Sequence, residues 1–310
     1  MNRLQFKNVV AKDRLIHHVD AFGIQCNQRS MDDMYEKLSE ANSPLVKAIY
    51  KEYEFAGKTS LNIFEILDFP SNLNSKKAFL NHVKKKLGIN TNILNVHLKP
   101  TITEYPKVNY IEEFENGYRI QWVSGVYKES TNGYGIINRL DTKYITTIVR
   151  LGSPVFIEIR AGYTLARSYL KMFKSFLSET ELPIEFQDIP LTKVTEVEAT
   201  LIAEKLKAGL LEGEHLGSNG IGRYAVSADR DTSDLRKLPE YQSNFVGKQY
   251  LAQTLNVPYS DEESGYVTSI KFKINMNGGF EFKTKVNEKI IRRIFDVFAE
   301  VRYKKMASGE

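Results

Sequence analysis

The 310-residue sequence predicts an α+β fold. Three observations carry that prediction. Apolar residues recur at helical spacing over 30–88, after Gly162 and after Asn287. Between about 92 and 160 the apolar period falls to two. Strands and helices never settle into the regular strand–helix–strand alternation of a parallel sheet. The expected organisation is a helical N-terminal domain over 1–90 and a central α+β domain over 91–182, with a mostly antiparallel sheet and a packed helix. A C-terminal α+β domain over 190–310 then ends in a β-hairpin and a helix.

In chain order, Ser30 followed by Asp33 reads as a helix N-cap with an acidic first turn. Ser43-Pro44 predicts a second helix start, since proline's missing N–H costs nothing at the first helical position. Asn74 or Ser75 opens a further helix, with Phe79, Leu80, Val83 and Leu87 on one face and Gly88 just past its end. The Glu-Asn-Gly turn at 115–117 joins strands at Tyr110–Phe114 and Tyr118–Val123. Two more strands are expected at Tyr144–Leu151 and Val155–Arg160, and then a helix with Leu165, Tyr169, Phe173 and Leu177 as its apolar stripe. Prolines and turns between Leu182 and Lys193 mark the expected domain boundary. Thr195 and Glu198 form a capping-box pair. Residues 209–222 read as a glycine-rich loop. Near the end, Ile270, Phe272 and Ile274 pair with Phe280 and Phe282, and a last helix follows.

Composition narrows the function classes. With 42% hydrophobic and 26% charged residues, the chain is neither disordered nor fibrous. Cys26 is its only cysteine, so an intrachain disulfide and a cysteine-rich zinc site are both excluded. The five histidines lack metal-binding spacing. No apolar run is long enough for a membrane span, and the N-terminus lacks a signal peptide's apolar centre, so a cytoplasmic location and no membrane partner are expected. No cofactor motif is present, and no cofactor is expected.

Charge is the informative feature. The chain carries +5, yet residues 271–305 alone hold ten cations against four carboxylates. Lys271, Lys273, Lys283 and Lys285 alternate along the terminal hairpin, which predicts a common solvent face. Arg292, Arg293, Arg302, Lys304 and Lys305 follow on the last helix. Lys76, Lys77, Lys84, Lys85 and Lys86 form a second basic element. Clustered lysine and arginine neutralise phosphates whatever the base sequence. The other reading of such residues is a solvated face in which lysine protects a sheet edge.

Weaker candidates follow. The turn Arg160-Ala161-Gly162-Tyr163-Thr164, with Arg167 beyond it, suggests an anion site at a helix start. Gly217 to Gly222 matches neither phosphate-loop pattern and reads as a flexible loop. Asp229, Asp231 and Asp234 resemble a magnesium site, or carboxylates neutralised by Arg230 and Arg236. Asp141, Glu158 and Arg160 resemble a nuclease metal site in which arginine stands where a base is needed, and arginine is a poor base. Tyr127 and Tyr134 lie among glycines and polar residues, as accessible rings. The leading expectation is a non-enzymatic nucleic-acid-binding accessory protein for DNA or RNA. It would use Lys271, Lys273, Lys283, Lys285, Arg292, Arg293, Lys77, Lys84 and Lys85, with Arg160, Thr164 and Arg167 as an anion site. The alternatives are an interaction subunit whose cations meet an acidic protein surface, and a metal-dependent phosphodiester hydrolase.

Overall fold

A computed structural model describes residues 3–178, 186–245 and 247–308, and the side chains as far as Arg302. The expected boundary at Leu182 therefore begins outside the described residues, as do the side chains of Lys304 and Lys305. The chain divides into two compact units, Leu61–Thr192 on its own and Met1–Ser60 together with Lys193–Glu310. The class is α+β, with eight helices and mostly antiparallel strands among the described residues.

The chain opens with α1 (Arg3–Val9), α2 (Lys12–Ala21) and α3 (Met31–Tyr53). Phe6, Leu15, Val19, Leu38, Ile49 and Tyr53 meet in their common core. The Ser30 hydroxyl accepts the Asp33 N–H at 3.3 Å, as expected of the cap. The second start differs by one residue. The helix breaks at Asn42 (φ −154°, ψ 75°), whose side-chain oxygen accepts the Leu45 N–H at 3.0 Å. Asn42 rather than Ser43 is the cap, and Pro44 still sits in the first turn, where no N–H is needed.

The Leu61–Thr192 unit contains β1 (Ser60–Ile66), α4 (Lys76–Leu87), β2 (Lys107–Phe114), β3 (Gly117–Thr131), β4 (Ile136–Arg150), β5 (Val155–Ile159), α5 (Tyr163–Leu177) and β6 (Asp188–Pro190). Its strands run in the order β2-β3-β4-β5-β1, all antiparallel, with β6 also paired to β1. β1 corrects the expectation of helix throughout 30–88. Every residue from Leu61 to Ile66 is buried, so no alternation betrays the strand. Helices α4 and α5 cover one sheet face. Phe79 stacks on Tyr118 with ring centroids 5.5 Å apart, and Trp122 meets Phe176 edge-on at 5.3 Å. The Trp122 indole N–H donates to the Thr147 hydroxyl at 3.1 Å. β3 and β4 run further than the spans expected from sequence. Their distal halves, Val126–Thr131 against Ile136–Asp141, form a ribbon of almost entirely exposed residues.

The chain then adds α6 (Glu196–Lys205), β7 (Gly209–Leu216), β8 (Arg223–Ser227), α7 (Pro239–Phe245), β9 (Tyr250–Asp261), β10 (Tyr266–Asn275), β11 (Phe280–Phe282) and α8 (Glu288–Ser308). These strands form the antiparallel order β11-β10-β9-β7-β8. The Thr195/Glu198 capping box is present. The loop expected over 209–222 is a strand up to Leu216 and then a tight hairpin turn. The Gly217 N–H donates to the Gly222 carbonyl at 3.1 Å, and a Cβ at Gly217 would lie 1.9 Å from the Ile221 carbonyl oxygen. Phe272, Phe282, Ile294 and Phe298 are buried where the hairpin meets α8.

Candidate functional site

The C-terminal cations are largely compensated in three dimensions. Lys273 is 2.5 Å from Glu214, a residue 59 positions away on β7. Lys283 pairs with Glu281 at 2.6 Å, Arg292 with Asp296 at 3.2 Å, and Arg302 with Glu198 at 2.6 Å. Lys285 leaves the face expected for it. Its ammonium donates to the backbone carbonyls of Lys7 at 2.5 Å and Val10 at 3.2 Å, and burial holds its pKa below the ordinary lysine value. Lys271 is exposed, and the Arg293 guanidinium lies 5.8 Å from the centre of the Tyr259 ring.

The lysine helix keeps its charge. Ser75 caps α4 by accepting the Ala78 N–H at 3.3 Å, and Gly88 ends it in the left-handed conformation at φ 66°. Phe79 and Val83 are buried against the sheet, which leaves Lys77, Lys85 and Lys86 exposed and Lys84 half-buried. Lys76 pairs with Glu113 at 3.1 Å. These lysines belong to the Leu61–Thr192 unit, and the C-terminal set to the other.

At the suggested anion turn, the exposed Thr164 lies in the first turn of α5, but both arginines have carboxylate partners. Arg167 pairs with Asp188, and the buried Arg160 donates its Nε to Glu158 at 3.0 Å. Glu158 also accepts from Arg150 Nη1 at 2.8 Å. Burial by itself pushes the Glu158 pKa up, but the two guanidiniums outweigh it and hold the carboxyl below its ordinary value. Asp141 lies elsewhere, on the distal ribbon, 2.7 Å from Lys128 and 2.6 Å from Arg139. The suggested metal triple is thus dispersed, with its carboxylates occupied by cations.

Asp229, Asp231 and Lys271 come together around an open cleft of about 530 Å³, which Arg230 and Asn256 also line. Asp229 accepts the N–H groups of Thr232 at 2.8 Å and Asp231 at 3.1 Å, and its bonds to Thr232 hold its pKa low. Asp234 does not line this cleft. It pairs with Arg236 at 2.8 Å and accepts the Leu210 N–H at 3.2 Å. Among the described residues, no group of three or more His, Cys, Asp or Glu is arranged to hold a metal ion. None of the described helices is long and apolar enough to cross a membrane.

Two features had little sequence signal. His215 is fully buried, with Nε2 2.9 Å from the Tyr241 hydroxyl, which lies 2.8 Å from that of Tyr250. These partners come from α7 and β9, so spacing alone does not join them. The second is the ribbon of β3 and β4, where adjacent apolar residues, Val126-Tyr127 and Ile136-Ile137, break the period-two pattern although the strand pairing continues. No protein-family model and no curated protein sequence matches this chain.

Proposed function

We infer that the protein is a non-enzymatic nucleic-acid-binding protein whose main phosphate-contacting surface is α4. One observation carries this reading: residues 69–103 contain six lysines and no carboxylate. Among these, Lys77, Lys84 and Lys86 have no ion-pair partner among the described residues, unlike Lys273 and Lys283 of the C-terminal hairpin. Exposed ion pairs are worth only about 0–1 kcal/mol, so Lys273 and Lys283 can still exchange partners, but their neighbouring carboxylates weaken the local positive field. Lys271 and Arg293 are the remaining C-terminal contributors.

Binding of an oligonucleotide across a salt series tests the proposal. The triple charge reversal Lys77→Glu, Lys84→Glu and Lys86→Glu is expected to flatten the log–log salt slope, by about 0.9 for each duplex phosphate that is no longer neutralised. Lys273→Glu is expected to leave the slope nearly unchanged. Absence of DNA and RNA retention at low salt, or an unchanged slope in the α4 variant, overturns the reading. The exposed apolar residues of the β3–β4 ribbon favour a second reading, an interaction subunit.

A further inference from the structure

We propose that the β3–β4 ribbon is a dimerisation arm that pairs, edge to edge and antiparallel, with the same ribbon of a second copy of this chain. The inference goes beyond nucleic-acid binding and does not depend on it.

The first ground is an open edge. β5 pairs with β4 only at Thr147–Arg150, and the Arg160 N–H takes the Thr146 carbonyl at 2.9 Å. Among the described residues, no strand pairs with the outer edge of β4 from Ile136 to Ile145. The matching edge of β3 is partly used, since the Gly125 N–H donates to the Thr103 carbonyl at 2.7 Å. The open edge carries no proline and no bulge, and its charged side chains, Arg139, Asp141 and Lys143, are of mixed sign rather than a uniformly repelling row.

The second ground is direction. Along a strand, backbone N–H and C=O groups of alternate residues point to alternate sides. Because the Thr146 carbonyl points outward, so do the backbone groups of Ile136, Asn138, Leu140, Thr142 and Tyr144. That set is centred on Leu140. A two-fold axis at Leu140 sets Ile136 opposite the second copy's Tyr144 and Asn138 opposite its Thr142, each in a hydrogen-bonded position. The pairing ends at Tyr144, just before the occupied Thr146 carbonyl.

The third ground is complementarity. The same axis places Arg139 opposite the second copy's Asp141, and Asp141 opposite its Arg139, at the closely spaced non-hydrogen-bonded positions. On the other face Ile136, Leu140 and Tyr144 are 74%, 42% and 52% exposed; Ile136 faces the second copy's Tyr144 and Leu140 faces its own counterpart, with the polar pair Asn138 and Thr142 between them. An isologous contact of this kind satisfies both partners at once and closes at a dimer. The paired stretch, residues 136–144, is shorter than the roughly 20–30 residues a side of a standard interface, so the dimer is expected to be weak and concentration-dependent.

Analytical ultracentrifugation over a dilution series tests this. The unaltered chain is expected to pass from dimer to monomer on dilution. Arg139→Asp and Asp141→Arg each place like charges opposite one another, and each is expected to weaken the dimer at least tenfold. An equimolar mixture of these two variants restores opposite charges at every 139–141 contact and is expected to recover the dimer. Leu140→Asp sets two carboxylates on the axis and is expected to give monomer. Trp122 fluorescence, which reports the core beneath, is expected to stay unchanged in all three. A monomer at every concentration, a dimer indifferent to Leu140→Asp, or a mixture that stays monomeric overturns the proposal.

Discussion

Arg160 donates its Nε to Oε1 of Glu158 at 3.0 Å, and both side chains are buried in the sheet of the Leu61–Thr192 unit. Arg150, on the neighbouring strand, takes the other carboxylate oxygen at 2.8 Å and also pairs with Glu115 at 2.6 Å. A carboxylate so placed is a structural counter-ion. The two residues that suggested a nuclease or anion site neutralise each other in the interior.

Glu158→Ala is therefore expected to destabilise strongly. It leaves two guanidiniums buried without their common partner, and breaking a buried ion pair from one side costs about 3–5 kcal/mol. The denaturant midpoint measures this, and a loss below about 1 kcal/mol contradicts it. Because the folded-state pKa of Glu158 is depressed, its stabilisation is present above the ordinary glutamate value of 4.5 and is lost as pH falls through the lower folded value.

Two histidines act in a higher window. Burial first, then Arg14 and His17, lower the His18 pKa from 6.5 to about 4, and burial also lowers that of His215. A base with a depressed folded-state pKa binds its proton more readily when unfolded. Stability is thus expected to fall as pH drops from 6.5 towards about 4. Denaturant midpoints through that range measure the slope, and His18→Gln is expected to flatten it. An unchanged slope in that variant removes His18 as its source.

The readable parts of the chain are those in which signal and partner are close in sequence. Ser75 and Gly88 delimit α4, Thr195 and Glu198 cap α6, and Glu115-Asn116-Gly117 turns the hairpin, each within a few residues. β1 escaped because burial of consecutive residues removes the alternation that identifies a strand. Charge pattern misled for another reason. The carboxylate that meets Lys273 comes from Glu214, and strand order β9 between β7 and β10 sets that meeting. The local density of lysine reports how much charge a segment carries. It does not report which carboxylates the fold returns to it. The ribbon was half visible, since Tyr127 and Tyr134 signalled accessible rings while the extension of both strands around them depends on their pairing.

Lys283 and Lys285 belong to the same alternating lysine series but have different surroundings, and substitution separates them. The Lys285 ammonium serves carbonyls at the C-terminal end of α1, where orphan acceptors and the helix dipole both favour a cation. Lys285→Met keeps the bulk of the stem and removes the donor, so the Lys7 and Val10 carbonyls lose their charged partner. Hydrogen bonds to charged groups contribute about 1.5–3 kcal/mol, and a loss of that order is expected in the denaturant midpoint. Lys283 instead pairs with Glu281 at 2.6 Å on a half-exposed surface, and Lys283→Met is expected to cost less than about 1 kcal/mol. Equal losses in the two variants would mean that the α1 carbonyls find water when Lys285 is withdrawn. The ammonium would then no longer be what holds α1 against the segment leading into α8.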